Sequence, residues 1–123
     1  MTDGPLVYVI DDDASFRRAV SRLLRSAGLA VETLASAEEF LESDSIARTQ
    51  CLILDVAMPG MSGPELQREL RQRDHRIPSV FITAHRDDPL RPRLIEQGAV
   101  DCLFKPFSET ALIEALTVAL RLN

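Results

Sequence analysis

Val7-Tyr8-Val9-Ile10-Asp11-Asp12-Asp13 decides how this chain is read: an apolar run breaks off into three carboxylates. A run without alternation fits a strand covered on both faces, since a half-exposed strand alternates apolar and polar residues. Three more runs have the same form. Cys51-Leu52-Ile53-Leu54 ends on Asp55, Val80-Phe81-Ile82 ends on Thr83-Ala84, and Cys102-Leu103-Phe104 ends on Lys105-Pro106. If these are neighbouring parallel strands, their polar ends meet at one edge of a sheet. That edge then holds clustered carboxylates, a hydroxyl and an ammonium, a set suited to a divalent metal and a phosphoryl group. Lys105 is the only lysine among 14 basic residues.

Helical periodicity fills the segments between the runs. Phe16, Val20, Leu23, Leu24 and Ala27 form one apolar face, with Asp13 or Ser15 as a start and Gly28 as a stop. Leu29 to Leu34 reads as a short, less apolar strand at an edge of the sheet. Ser36 and Glu39 have capping-box spacing and open a helix carrying Phe40 and Leu41. After the Asp55 strand comes a turn-rich stretch, Met58-Pro59-Gly60-Met61-Ser62-Gly63-Pro64, then a helix with Leu66 and Leu70 inward. Pro78 introduces the fourth strand, and a helix around Leu90, Leu94 and Ile95 ends at Gly98. Val100 to Phe104 is the fifth strand, and Ser108 caps a last helix with Leu112, Ile113, Leu116, Ala119 and Leu120 inside. A strand–helix unit repeated five times predicts right-handed crossovers and a doubly wound parallel α/β sheet. Ligands of such sheets bind outside the carboxyl ends of the strands.

The 123 residues suit a single domain across 1–123, with enough length to bury a core without disulfides or metals. The net charge of −5 disfavours direct binding of nucleic acid. The arginine groups Arg17, Arg18, Arg22, Arg25 and Arg86, Arg91, Arg93 read as solvated faces. No stretch has the ~20 apolar residues of a membrane span, and no signal peptide precedes the first strand, so a cytoplasmic location is expected. Cys51 and Cys102 lie within apolar runs and read as buried thiols, without zinc-site spacing.

Taken singly, each strand-end residue has an ordinary explanation: an Asp caps a helix or forms a turn, a Thr ends a strand, a Lys is a surface charge. The combination in this order on successive strands is what carries information. Clustered carboxylates raise one another's pKa, and a divalent cation reverses that. An all-oxygen site with room for water suits Mg²⁺ or Mn²⁺. A carboxylate beside the metal can act as a nucleophile and form an acyl phosphate, and phosphoryl transfer asks the protein mainly for positioning and charge stabilisation.

These motifs, with Leu54-Asp55-Val56-Ala57-Met58-Pro59-Gly60-Met61-Ser62-Gly63 and Lys105-Pro106-Phe107, resemble the receiver domain of bacterial two-component response regulators. Ser36-Ala37-Glu38-Glu39-Phe40-Leu41 and Gly98-Ala99-Val100-Asp101 bring it nearest to receivers of the FixJ/NarL type. The resemblance implies a CheY-like sheet of strand order 2-1-3-4-5 with five helices. It implies Asp55 as acceptor of a phosphoryl group from a sensor histidine kinase. Asp12, Asp55 and the Ala57 carbonyl would hold Mg²⁺, Asp11 acting largely through water. Thr83, Lys105 and the Ala84 backbone would serve the phosphoryl oxygens, and Lys105-Pro106 would be cis. Output would be a changed surface on the fourth and fifth strand–helix units, read by homodimerisation or by a DNA-binding domain outside this chain that controls transcription. The domain is then a signalling phosphoacceptor that promotes its own phosphorylation and dephosphorylation.

Three departures stand out. Many receivers carry an aromatic ring where this chain has Cys102, and a thiol cannot serve as a bulky rotameric switch. Asp88-Pro89-Leu90-Arg91-Pro92 puts two prolines close together, so the fourth helix is expected to start late or irregularly. His85 follows Thr83 closely and is read as a loop residue, while His75 lies in a polar turn. Cys102 and Pro92 motivate an alternative, a phosphorylation-independent interaction module on the same fold. An aspartyl phosphatase would want an acid at position 57, which is Ala, and no Walker A or dinucleotide fingerprint occurs.

Overall fold

The computed structural model describes residues 5–84 and 89–121. Leu6–Ile10 (β1), Ala30–Leu34 (β2), Cys51–Asp55 (β3), Ser79–Thr83 (β4) and Asp101–Phe104 (β5) form one parallel sheet in the order β2-β1-β3-β4-β5. The connecting helices are Ala14–Ser26 (α1), Ala37–Glu42 (α2), Gly63–Gln72 (α3), Leu90–Glu96 (α4) and Glu109–Arg121 (α5). The expected architecture and order are therefore present.

Alternate residues of each central strand feed two separate cores. Tyr8, Ile10, Leu52, Leu54 and Phe81 pack with Phe40 of α2, Leu66 and Leu70 of α3 and Leu94 of α4. Val7, Val9, Ile53, Val80 and Ile82 point the other way, onto Val20 and Leu24 of α1 and Leu112 and Leu116 of α5. Both faces are thus sealed, which is why the strands are continuously apolar. Strand β2 lies at the edge with Glu32 exposed, as its mixed composition requires.

The helix starts follow local chemistry. Asp13 accepts the Ser15 and Phe16 N–H groups ahead of α1, and Gly28 takes the left-handed turn after it at φ +88°. Ser36 accepts the Glu39 N–H at 3.2 Å, but its hydroxyl pairs with the Glu39 carboxylate rather than forming a reciprocal box. The complete capping box stands at α3: Ser62 accepts from the Glu65 N–H, and Glu65 accepts from the Ser62 N–H at 2.8 Å. Ser62-x-x-Glu65 has the same capping-box spacing in the sequence as Ser36 and Glu39. A short 3-10 turn, Ile46–Arg48, also precedes β3 without a sequence signal.

Helix α4 is seven residues long and starts at Leu90 without a side-chain cap; Pro92 is its third residue. The irregular start expected from the two prolines shows as this uncapped first turn. Among the described residues no helix is long and apolar enough to cross a membrane.

Candidate functional site

The parallel sheet brings the polar strand ends to one edge because β1, β3, β4 and β5 are adjacent and in step. Asp11 lies just beyond β1, its N–H held by the Leu34 carbonyl at 3.2 Å. Asp55 ends β3 opposite Ile82, and the Val56 N–H reaches the Ile82 carbonyl at 2.9 Å. The Lys105 N–H reaches the Thr83 carbonyl at 2.8 Å, so the ladder continues to the residues that carry the chemistry.

Asp11, Asp12 and Asp55 present carboxylate oxygens that all lie within 4.8 Å of one another. Asp11 is buried, Asp55 half-buried and Asp12 exposed, so the cluster opens outward from a closed floor. The Asp11 carboxylate accepts the Asp13 N–H at 2.9 Å through one oxygen and faces the Lys105 ammonium at 3.3 Å through the other. Asp55 accepts the Ala57 N–H at 3.3 Å. Burial, then repulsion from Asp11, pushes the Asp55 carboxyl up to about 6, against the opposing pull of the Ala57 N–H and Lys105. The donor set is all oxygen and the acids destabilise one another, so the residues fit a hard divalent cation with several water ligands.

Thr83 is buried at the end of β4, and Ala84 is exposed beyond it. Ala57 is exposed on the loop after β3. The Lys105-Pro106 bond is cis. Asp13 caps α1 and stands outside the carboxylate cluster. His75 packs far along the chain against the end of α3, where its N–H meets the Leu70 carbonyl. His85 lies outside the described residues.

Two neighbours of the site were not foreseen. The Lys105 ammonium sits 4.2 Å from the Phe16 ring centroid, and Phe107 meets that ring edge-on at 6.1 Å. Cation–π attraction thus adds to the Asp11 contact in holding the ammonium. The helical periodicity places Phe16 only on the apolar face of α1. Arg17 donates to the Asp11 carbonyl at 2.6 Å and fixes the turn after β1. No local signal reveals either contact, since both depend on how α1 lies across the sheet.

The model of the response regulator receiver domain matches residues 7–117. The chain belongs to this family. The receiver is 44% identical over 117 residues to the response regulator protein TodT of Pseudomonas putida, covering 95% of this chain and 52% of TodT. It is 41% identical over 120 residues to the transcriptional regulatory protein FixJ of Azorhizobium caulinodans, covering 98% of this chain and 57% of FixJ. Among solved structures it superposes on the response regulator StyR with a TM-score of 0.90 at 49% identity, covering 98% of this chain and 61% of that one. The receiver therefore spans about half the length of the curated relatives it matches. It is a receiver domain of two-component response regulators, a signalling domain whose family implies a sensor kinase as partner.

Proposed function

We propose that this domain, a single receiver unit across 1–123, accepts a phosphoryl group on Asp55 from a phosphohistidine of a sensor histidine kinase. One Asp55 oxygen forms the bond to phosphorus as the phosphorus–nitrogen bond breaks and its electron pair returns to the imidazole. The observation that carries this reading is the cluster of three carboxylates within 4.8 Å of one another, backed by an ammonium 3.3 Å from the deepest of them.

Asp12, Asp55 and the Ala57 carbonyl would hold Mg²⁺, or Mn²⁺, with Asp11 acting largely through water. When bound, such an ion would supply charge neutralisation for the phosphoryl transfer. Lys105, in contact with Asp11 and the Phe16 ring, would pair with a phosphoryl oxygen. Thr83 and the Ala84 backbone supply hydrogen bonds to the others. The same groups assist hydrolysis, so the domain promotes both its phosphorylation and its dephosphorylation.

The output surface is the α4, β5 and α5 side, and its reading is homodimerisation. Ile95 on α4 and Val118 on α5 support it as the exposed large hydrophobic residues among those described, 39% and 49% accessible. The greater length of TodT and FixJ supports a following output domain that acts on transcription from the cytoplasm, the receiver itself not touching DNA. Acetyl phosphate with Mg²⁺ tests the core of the proposal. Intact mass should show one added phosphoryl group on the wild type and none on Asp55→Asn. Equal modification of both, or none of either, overturns it.

A further inference from the structure

The loop that follows Asp55 is strapped to α2 by one side chain. Glu38, in the first turn of α2, accepts the Met61 N–H through Oε2 at 2.8 Å. Its carboxylate lies against Gly60, which takes a left-handed φ of +76°. A Cβ at position 60 would collide with Glu38 Oε2, so the absence of a side chain there is what lets the carboxylate reach across. The two ends of the loop are held by other means. Val56 and Gly63 are tied by the Gly63 N–H to the Val56 carbonyl at 3.2 Å, and Ser62 caps α3. Met58, between them, is sunk into the core. Glu38 thus acts on the exposed outer turn, where Ala57 and Gly60 sit.

We infer that Glu38 is a positioning residue for the phosphoacceptor site, acting through the loop that presents Ala57. The inference rests on the proposed function, in which the Ala57 carbonyl is a metal ligand and Asp55 the acceptor. The Ala57 N–H already holds Asp55 Oδ1, so any shift of this turn moves a ligand and the acceptor carboxylate together. Partners that orient a metal ligand are worth about 10–100-fold in affinity when lost. Glu38 is exposed and belongs to no core cluster, so its removal should spare the fold.

The test compares wild type, Glu38→Ala and Glu38→Gln in three readouts. These are Mg²⁺ affinity from the amide shifts of Asp55 and Ala57, the rate of Asp55 phosphorylation by acetyl phosphate, and hydrogen exchange at the Met61 amide. Glu38→Ala should weaken Mg²⁺ binding about tenfold, slow phosphorylation and expose Met61 to exchange, with the melting temperature little changed. Glu38→Gln keeps an oxygen acceptor without the charge and should restore most of all three. If wild type responds to Mg²⁺ and Glu38→Ala responds equally, the inference is overturned while the functional reading stands. If Glu38→Gln behaves like Glu38→Ala, long-range charge rather than the hydrogen bond is responsible, and positioning is again overturned. A wild type silent towards Mg²⁺ sinks the functional reading and this inference with it.

Discussion

At the carboxyl edge of the sheet, Asp11 and Lys105 are each held from several directions. On the α4–β5 side, a short helix starts without a side-chain cap. Asp11 is buried beneath a backbone N–H, an ammonium and a turn pinned by Arg17. Helices α1, α2 and α3 each start on a side chain that accepts a backbone N–H. Helix α4 starts after Pro89 without such a cap and buries Leu94 as its anchor. One polar link to β5 is the exposed Arg91, which donates to the Asp101 carboxylate at 2.8 and 3.0 Å. The next residue along β5 is Cys102, a buried thiol whose pKa burial raises to about 11. The contrast teaches that the carboxyl edge is fixed by hydrogen bonds and charge, whereas α4 starts without a cap and buries a single side chain. Local opening is drawn from the less stable elements, and the short, uncapped α4 is expected to open first.

Four experiments break or sharpen the contrast. The largest effect is expected at the α4 anchor. Leu94→Ala should cost about 2–5 kcal/mol in urea unfolding, and hydrogen exchange should accelerate first in α4. Mg²⁺-induced shifts at Asp12 and Asp55 should survive in the folded protein. If they vanish together with α4 protection, the two regions are one cooperative unit.

Asp12→Ala tests the other region. It should lower Mg²⁺ affinity by at least the roughly 10–100-fold typical of losing a partner of a metal ligand. It should not destabilise the metal-free fold, because Asp12 repels Asp55 there. Titration calorimetry and thermal melts in chelator check the two halves.

A smaller effect is expected with pH. Folding raises Asp55 to about 6, so the folded domain keeps a proton that the unfolded chain has already lost. In metal-free buffer this contribution to stability is fully present below the unfolded value near ~3.9 and is lost as pH rises through about 6. Asp55→Asn stays neutral and should not show that decline in melts between acid and neutral pH. A wild type and variant with parallel profiles would mean the acceptor is not held in a desolvated, repelling cluster. The smallest effect belongs to Arg91→Ala, within about 1 kcal/mol, since the pair is solvent-exposed. Its use lies in asking whether α4 amides exchange faster while those of α1 and α3 do not.

The sheet and its active edge were legible because buried parallel strands need unbroken apolar runs, and a polar residue that ends such a run marks where the strand leaves the core. Asp11, Asp12, Asp55, Thr83 and Lys105 could each be named from that pattern. The capping pair Ser62 and Glu65 could also have been read, since capping works over three residues of chain. The 3-10 turn at Ile46–Arg48 carries no comparable pattern.

By itself, then, the sequence determined the alternation of strands and helices, the two-faced burial of the sheet and the identity of the polar groups at its edge. These depend on periodicity and on chain neighbours. Only the tertiary structure decided that Phe16 lies under the Lys105 ammonium, that Arg17 pins the turn after β1 and that Glu38 crosses to the Met61 N–H. Such contacts follow from how each helix lies across the sheet and its neighbouring loops, and a spacing of 23 residues between Glu38 and Met61 carries no trace of it in the chain.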